Sequence, residues 1–361
     1  MRHTSAALLI LCGLGLAPAT QASVVPPQWL HAQLGQSVQE VQRNAALDYW
    51  RLVNTTPYEA DLPARAREVI SVLHPGPDGD AGPVEAPATL LPGGELEAEL
   101  AEIADFLDDL QRASRETYCD FQVRYEDGYA ALLPHLGQMR QFARLLAADA
   151  RRLALAGDEE GAAERLATML RMARHLTGDR ILISSLVSAA ISNMAIVEAD
   201  WLLERTRGAG PVRAALARAL DRFPPDDPFG VEAALRTERD LVASLARRFR
   251  GPNAGRDFAD MFLAMVQSED DTLRRRALGS LEGEQFKAEV EKAVDAFDLV
   301  FEAWGAGDPA AELDALGQRF VEGDFGTVAI LVVPAFGKTY ESDAKARARL
   351  EAFRNRVKGD G

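Results

Sequence analysis

Cysteine is nearly missing from this 361-residue chain, which has two. Cys12 lies in an N-terminal apolar run; if that run is a leader that is removed, Cys119 alone remains. A lone cysteine excludes an internal disulfide and any multi-cysteine metal site. Aromatic residues are also scarce, at 7%, and the Ala-, Leu-, Arg- and Glu-rich usage favours helix outside the linkers. Basic charge is in deficit, with 40 Lys and Arg against 55 Asp and Glu and a formal charge of -15. A field of that sign repels phosphate backbones and anionic head groups, so no nucleic-acid partner is expected. Four short motifs with known chemistry are absent as well: His-Glu-x-x-His, the phosphate-binding Gly-x-x-x-x-Gly-Lys, Gly-x-Ser-x-Gly and a calcium-loop spacing. Their joint absence turns the reading away from catalysis, and no cofactor or metal is expected.

What is present begins with Met1-Arg2-His3, an apolar run over 6–16 and the small residues Ala17-Pro18-Ala19-Thr20-Gln21-Ala22. This is the pattern of a secretory signal peptide over 1–22, cut after Ala22 with Ala19 as the alternative. Removing it takes away Arg2 and no acid, so the charge moves from -15 to -16. A periplasmic or secreted protein is expected. Leu11 stands where a lipidated Cys12 would need a small residue before it.

The chain is organised around 129–207. Leu132, Leu136, Met139, Ala143, Leu146, Ala150 and Leu153 fall three or four apart and lay one stripe along a helix, with Arg140, Arg144, Arg151 and Arg152 off it. Gly157-Asp158 supplies a stop and an N-cap. Ala162, Leu166, Met169, Leu170, Ala173 and Leu176 repeat the spacing, and Thr177-Gly178-Asp179 repeats the stop-and-cap device. Two helices joined by so short a turn must pack side by side.

Residues 181–197 hold no charge. A helix apolar nearly all round belongs in an interior. Seventeen residues rise about 26 Å, short of the roughly 30 Å of hydrocarbon, so a buried helix is expected and no transmembrane span. Ser184, Ser185, Ser188 and Ser192 make a small polar stripe on it, expected to allow close helix approach with each hydroxyl bonded back to its own turn, or else to form the polar wall of a groove.

Elsewhere 23–73 reads as an N-terminal helical segment, with helices over 38–53 and 63–73. Residues 74–94 carry five prolines and five glycines and read as a linker or surface loop. The main helical domain is 95–361. It opens with one acidic helix over 95–115, then an alternating extended stretch over 119–125. After the central run come helices over 211–223, 231–250, 257–276, 284–304, 309–320 and 343–358. The apolar run 327–336 reads as a buried helix. The expected fold is all-α, antiparallel helical hairpins packed as a bundle or irregular array around a buried central helix.

Residues 142–176, with Ala-Gly-Asp at the turn and regularly spaced alanines, resemble a tetratricopeptide-type hairpin. Asn44-Ala45-Ala46, Leu132-Leu133-Pro134-His135-Leu136, Arg140, Arg144-Leu145-Leu146, Ala156-Gly157-Asp158 and Ile183-Ser184-Ser185-Leu186-Val187 together resemble a family of uncharacterised exported bacterial helical proteins. The resemblance covers about half the chain and implies an exported α-helical domain, without an activity to carry over.

Four residues are candidates for ligand binding. His135 follows Pro134 at a helix start, where it caps or packs that end, or faces a ligand. Arg140 and Arg144 are one turn apart and can clamp a carboxylate, or pair with the chain's own acids. Cys119 precedes Asp120, whose charge raises a thiol pKa, so a half-buried inert thiol is expected. His175 ends a helix, where a cation suits the dipole. Two functions follow. One is an envelope scaffold that presents a grooved face to another protein or peptide. The other is a small-molecule binder or hydrolase with a pocket near His135 and Arg140.

Overall fold

The computed structural model describes residues 43–74, 86–206, 209–265, 278–332 and 336–359. The expected leader, the start of the first helix, residues 75–85 of the expected loop and the far half of the expected helix 257–276 lie outside the described residues. Among the described residues there are fourteen α-helices and no strand. They are α1 (Ala45–Asn54), α2 (Leu62–Leu73), α3 (Glu95–Glu102), α4 (Ala104–Arg115), α5 (Pro134–Leu155), α6 (Glu159–Leu176), α7 (Leu182–Arg205) and α8 (Ala209–Leu220). Then come α9 (Val231–Arg248), α10 (Ala254–Met265), α11 (Gly283–Trp304), α12 (Pro309–Glu322), α13 (Gly326–Val332) and α14 (Phe336–Lys358). The fold is all-α.

The hairpin at the centre is built by its turn. Gly157 takes φ +88°, which lets Asp158 N–H reach back to the Leu153 carbonyl, while the Asp158 carboxylate accepts from Gly161 N–H at 2.9 Å. α5 and α6 therefore fold onto one another, and α7 packs on both. The second turn departs from the expected pattern. Residues Thr177–Asp179 form a single 3₁₀ turn, the left-handed residue is Arg180 at φ +50°, and Asp179 does not cap α7. Its carboxylate points inward instead, and α7 starts at Ile181 without a side-chain cap.

Other boundaries shift for equally local reasons. The acidic stretch expected as one helix breaks at Ile103 (φ −97°, ψ 15°) into α3 and α4, while the inner stripe from Leu96 to Leu110 stays buried. Leu132 is 87% exposed because α5 begins only at Pro134, whose missing N–H suits a first turn. Residues 86–94 contain a 3₁₀ turn, Ala88–Leu90, that seats a fully buried Leu90 against α3. The run at 327–332 is helical, with Val328 and Ala329 buried.

Among the described residues enclosure is greatest in α6, where 13 of 18 residues are buried, against 12 of 24 in α7, whose first sixteen residues carry no charge. α6 can be surrounded despite its charges because each buried guanidinium finds acceptors. Arg165 meets Asp149 at 2.8 Å, and Arg171 meets Ser114 Oγ at 2.9 Å and Thr168 Oγ1 at 3.0 Å. Arg151, expected off the apolar stripe, is buried too. It donates to Glu198 Oε2 at 2.9 Å and lies over the Trp201 ring at 3.4 Å, so its charge is matched by an anion and an aromatic face. α7 is long and apolar enough to cross a membrane by length and composition, and 61% of its most apolar window is buried against the rest of the protein.

The serines of α7 do not bond within their own turns. Ser188 Oγ donates to Ala173 O of α6 at 2.7 Å, Ser185 Oγ to Gly230 O at 3.2 Å and Ser184 Oγ to Asp179 Oδ2 at 2.7 Å. Ser192 Oγ is buried without a hydrogen-bond partner, so three of the four serines bond to backbone or side chains outside their own turns, and the stripe is a close-packed seam that only small side chains permit. Ser188→Leu is expected to overpack it and lower unfolding stability by about 1–3 kcal/mol, against about 1 kcal/mol for Ser188→Ala. Urea melts in which the leucine variant matched the alanine variant would show that the seam is loose.

Candidate functional site

Cys119 and its neighbours continue the chain past α4 as a non-helical segment; the extended stretch expected over 119–125 is interrupted by Gln122 at φ +52° and ends in a 3₁₀ turn that opens at Tyr125, so the segment joins no sheet and must be held from outside. Asn44 does this. Its side-chain amide donates to Asp120 O at 2.9 Å and accepts from Asp120 N–H at 2.9 Å, while Ala45 N–H donates to Tyr118 O at 3.0 Å. Phe121 then anchors the segment in the core. Its ring stacks on His135 at 4.1 Å and 13°, and on Tyr49 at 6.1 Å and 16°.

The two histidines flank that anchor and are both buried. His135 Nε2 lies 2.8 Å from Asp179 Oδ2, the oxygen that also accepts from Ser184 Oγ. His175 Nδ1 lies 3.0 Å from the Tyr49 hydroxyl and its Nε2 2.9 Å from Glu116 O. Burial first, and then the guanidinium charges of Arg222, Arg174 and Arg171, push the His175 pKa down to about 4. It is neutral at neutral pH, so the cation that its place at a helix end favoured does not form.

In front of the segment opens a cleft of about 760 Å³, lined by Tyr118, Cys119, Asp120 and Tyr125 on one side and by Arg174, Gly178, Arg180 and Arg222 on the other. Gly178 lets α6's end approach closely, since a Cβ there would sit 3.1 Å from Cys119 O. Arg222 caps the end of α4, donating to Ser114 O at 3.1 Å, Glu116 O at 3.3 Å and Arg115 O at 2.8 Å. Arg174 donates to Arg222 O at 3.0 Å and to Thr177 Oγ1. The Asp120 carboxylate accepts from Gln122 N–H at 2.8 Å and from the Tyr118 hydroxyl at 3.1 Å.

Nucleophilic chemistry is poorly served by this arrangement. Burial, then the charges of Asp179 and Asp120, push the Cys119 thiol well above its ordinary range. Ser184 shares a carboxylate with His135 but donates to the carboxylate rather than to the imidazole, so the ring cannot take its proton.

Of the four ligand-binding candidates only Cys119 lines the cleft, where His175, read from sequence as a helix-end residue, joins it. His135 lies behind the cleft, and Arg140 is exposed on α5. Arg144 is half-buried, and burial together with Arg140 and Arg67 of α2 lowers its pKa. Among the described residues neither Arg140 nor Arg144 pairs with an acid, so the expected pairing is replaced by a like-charged group with Arg67. The residues that sequence reasoning missed are Arg174, Arg180, Arg222 and Asn44. An arginine just after a helix, twice over at Arg180 and Arg222, was the available signal. No protein-family model matches the chain, and no curated protein or solved structure matches it either.

One buried acid beside this region sets a pH dependence. Glu238 accepts from Leu182 N–H at 3.4 Å, at the uncapped start of α7, and burial pushes its pKa up to about 7. Its proton stays on in the folded state while the unfolded chain ionises, so stability is fully present below about pH 4.5 and is lost as pH rises through 7. Glu238→Gln keeps the acceptor and removes the titration; it is expected to gain on the order of 3 kcal/mol more over wild type at pH 8 than at pH 4. An equal gain at both pH values would assign the effect to packing. For Cys119, alkylation by iodoacetamide at pH 8, followed by mass spectrometry of its peptide, is expected to run at least about tenfold slower in the folded than in the unfolded protein. Equal rates would show the thiol to be activated.

Proposed function

We propose that this protein is an exported helical scaffold that binds a segment of another envelope protein or peptide in the cleft between residues 117–125 and the α6–α7 turn, and that it works without catalysis. The observation that carries the reading is the cleft, an open concavity of about 760 Å³ whose walls are fixed by hydrogen bonds to backbone. Such preorganisation lowers the ordering cost of binding. Tyr118 and Tyr125 stand half-exposed at its rim, the amphipathic side chains that binding surfaces favour. The leader pattern of 1–22 supports export, and the charge-free run supports a bundle core rather than a span.

A small-molecule ligand is the second reading, favoured by the volume, which falls among those that enclose such ligands. A hydrolase centred on His135 and Arg140 draws no support, because His135 is turned to Asp179 and Arg140 lies on the surface.

A photo-crosslinking residue placed at Tyr118 tests the proposal in intact cells, with the same residue at Val321, 71% exposed on α12, as the control. A discrete protein adduct from position 118 that is missing from 321 is the expected result. Identical adducts from both, or none from 118, would overturn it.

A further inference from the structure

We infer that the cleft recognises carboxylate groups, an inference that rests on the binding role proposed above and names the chemistry of its ligand. The argument starts from the acid excess of the chain. With 55 acids to 40 bases, carboxylates are within reach of most guanidiniums. The surface shows this: Arg43 pairs with Asp48 at 3.0 Å, Arg239 with Asp298 at 2.8 Å and Arg356 with Asp200 at 2.6 Å. The cleft departs from the pattern, as the Arg67, Arg140 and Arg144 group does, but of the two it alone sets its cations around a concavity. Among the described residues, the side chain of Arg180 makes no hydrogen bond or ion pair, Arg222 donates only to backbone carbonyls, and Arg174 donates to a carbonyl and a hydroxyl. Three guanidiniums face one lining carboxylate, Asp120, whose oxygens already accept from Gln122 N–H and the Tyr118 hydroxyl.

These cations stand in partly dehydrated surroundings. Burial lowers the pKa of Arg174, and the charge of Asp227 offsets only part of that loss. An incoming anion would supply the missing counter-charge where water screens it least.

The geometry favours separated single charges over one phosphate. The guanidiniums that line the cleft come from three places, the last turn of α6, the turn after it and the residues just past α8. Phosphate sites commonly use the free amides of a helix N-terminus. The nearest such terminus, that of α7, already has its Leu182 N–H directed to the Glu238 carboxyl. Planar guanidinium forks match carboxylates, and the tyrosines of the rim offer apolar faces and hydroxyls to the chain between them.

Isothermal titration calorimetry on the whole chain tests this with four probes: triglutamate, triglutamine, citrate and inorganic phosphate. Triglutamate is expected to bind with an affinity that falls as salt is raised, and triglutamine to give no heat. Arg180→Asn, chosen because Arg180 is exposed and asparagine tolerates its left-handed backbone, is expected to weaken triglutamate about tenfold. Arg319→Asn, paired with Asp324 on α12, is expected to leave it unchanged. Triglutamate binding that Arg180→Asn does not weaken, triglutamine binding as well as triglutamate, or phosphate binding more tightly than either carboxylate probe would overturn the inference. Citrate binding lost in Arg180→Asn, with no triglutamate binding, would keep the carboxylate site and overturn the protein-segment reading. Site-specific crosslinks from Tyr118 with no binding of either carboxylate probe would do the reverse.

Discussion

A carboxylate taken out of water has to be met by donors, and Asp179 is where that requirement shapes this protein. Its side chain is 4% exposed and receives His135 and Ser184 on one oxygen, while its backbone carbonyl accepts from the Tyr125 hydroxyl. One residue thus ties the start of α5, the first turn of α7 and the segment 117–125 to a single point. Because Asp179 turns inward, Arg180 is left in the left-handed region with its side chain outside, and the cleft opens beside it.

The same logic of satisfied burial explains why the most enclosed helix carries charge. α6 holds Arg165 and Arg171 inside, and each is matched to acceptors supplied by α4 or α5. Removing either partner alone would leave a charge stranded in a low dielectric. Towards the last turn of α6 the acceptors change from carboxylates to carbonyls and hydroxyls, and among the described residues Arg174 and Arg222 form no ion pair. That gradient, from Asp149 beside Arg165 to backbone carbonyls around Arg174 and Arg222, separates the scaffold from the cleft.

α14 shows the opposite balance at the far side. It buries Leu350, Phe353 and Val357 and adds charged contacts to its neighbours: Arg347 with Asp227, Arg356 with Asp200 and Arg354 with the carbonyls of Leu220 and Phe223, while Arg347 also pairs with Asp343 one turn back on α14. Burial pushes the Asp343 carboxyl up to about 6, so the hold of this helix depends on pH in the same direction as Glu238. The bundle is thus closed at one edge by polar and apolar contacts together and filled at its centre by alanine, leucine and methionine.

Helical periodicity, the Gly157-Asp158 turn, the prolines at helix starts and the charge-free run were readable from local sequence, since each acts over one or two turns of chain. They determined an all-α protein and the order of its elements. The contacts that make the cleft were not readable. Asn44 and Asp120 are 76 residues apart, His135 and Asp179 are 44 apart, and Arg222 reaches carbonyls more than 100 residues before it. Thr177-Gly178-Asp179 looks locally like a stop and a cap, and only the imidazole waiting across the core turned its carboxylate inward. Hydrogen-bond partners that distant are chosen by packing, which is why the fold class came from sequence and the site from tertiary structure alone.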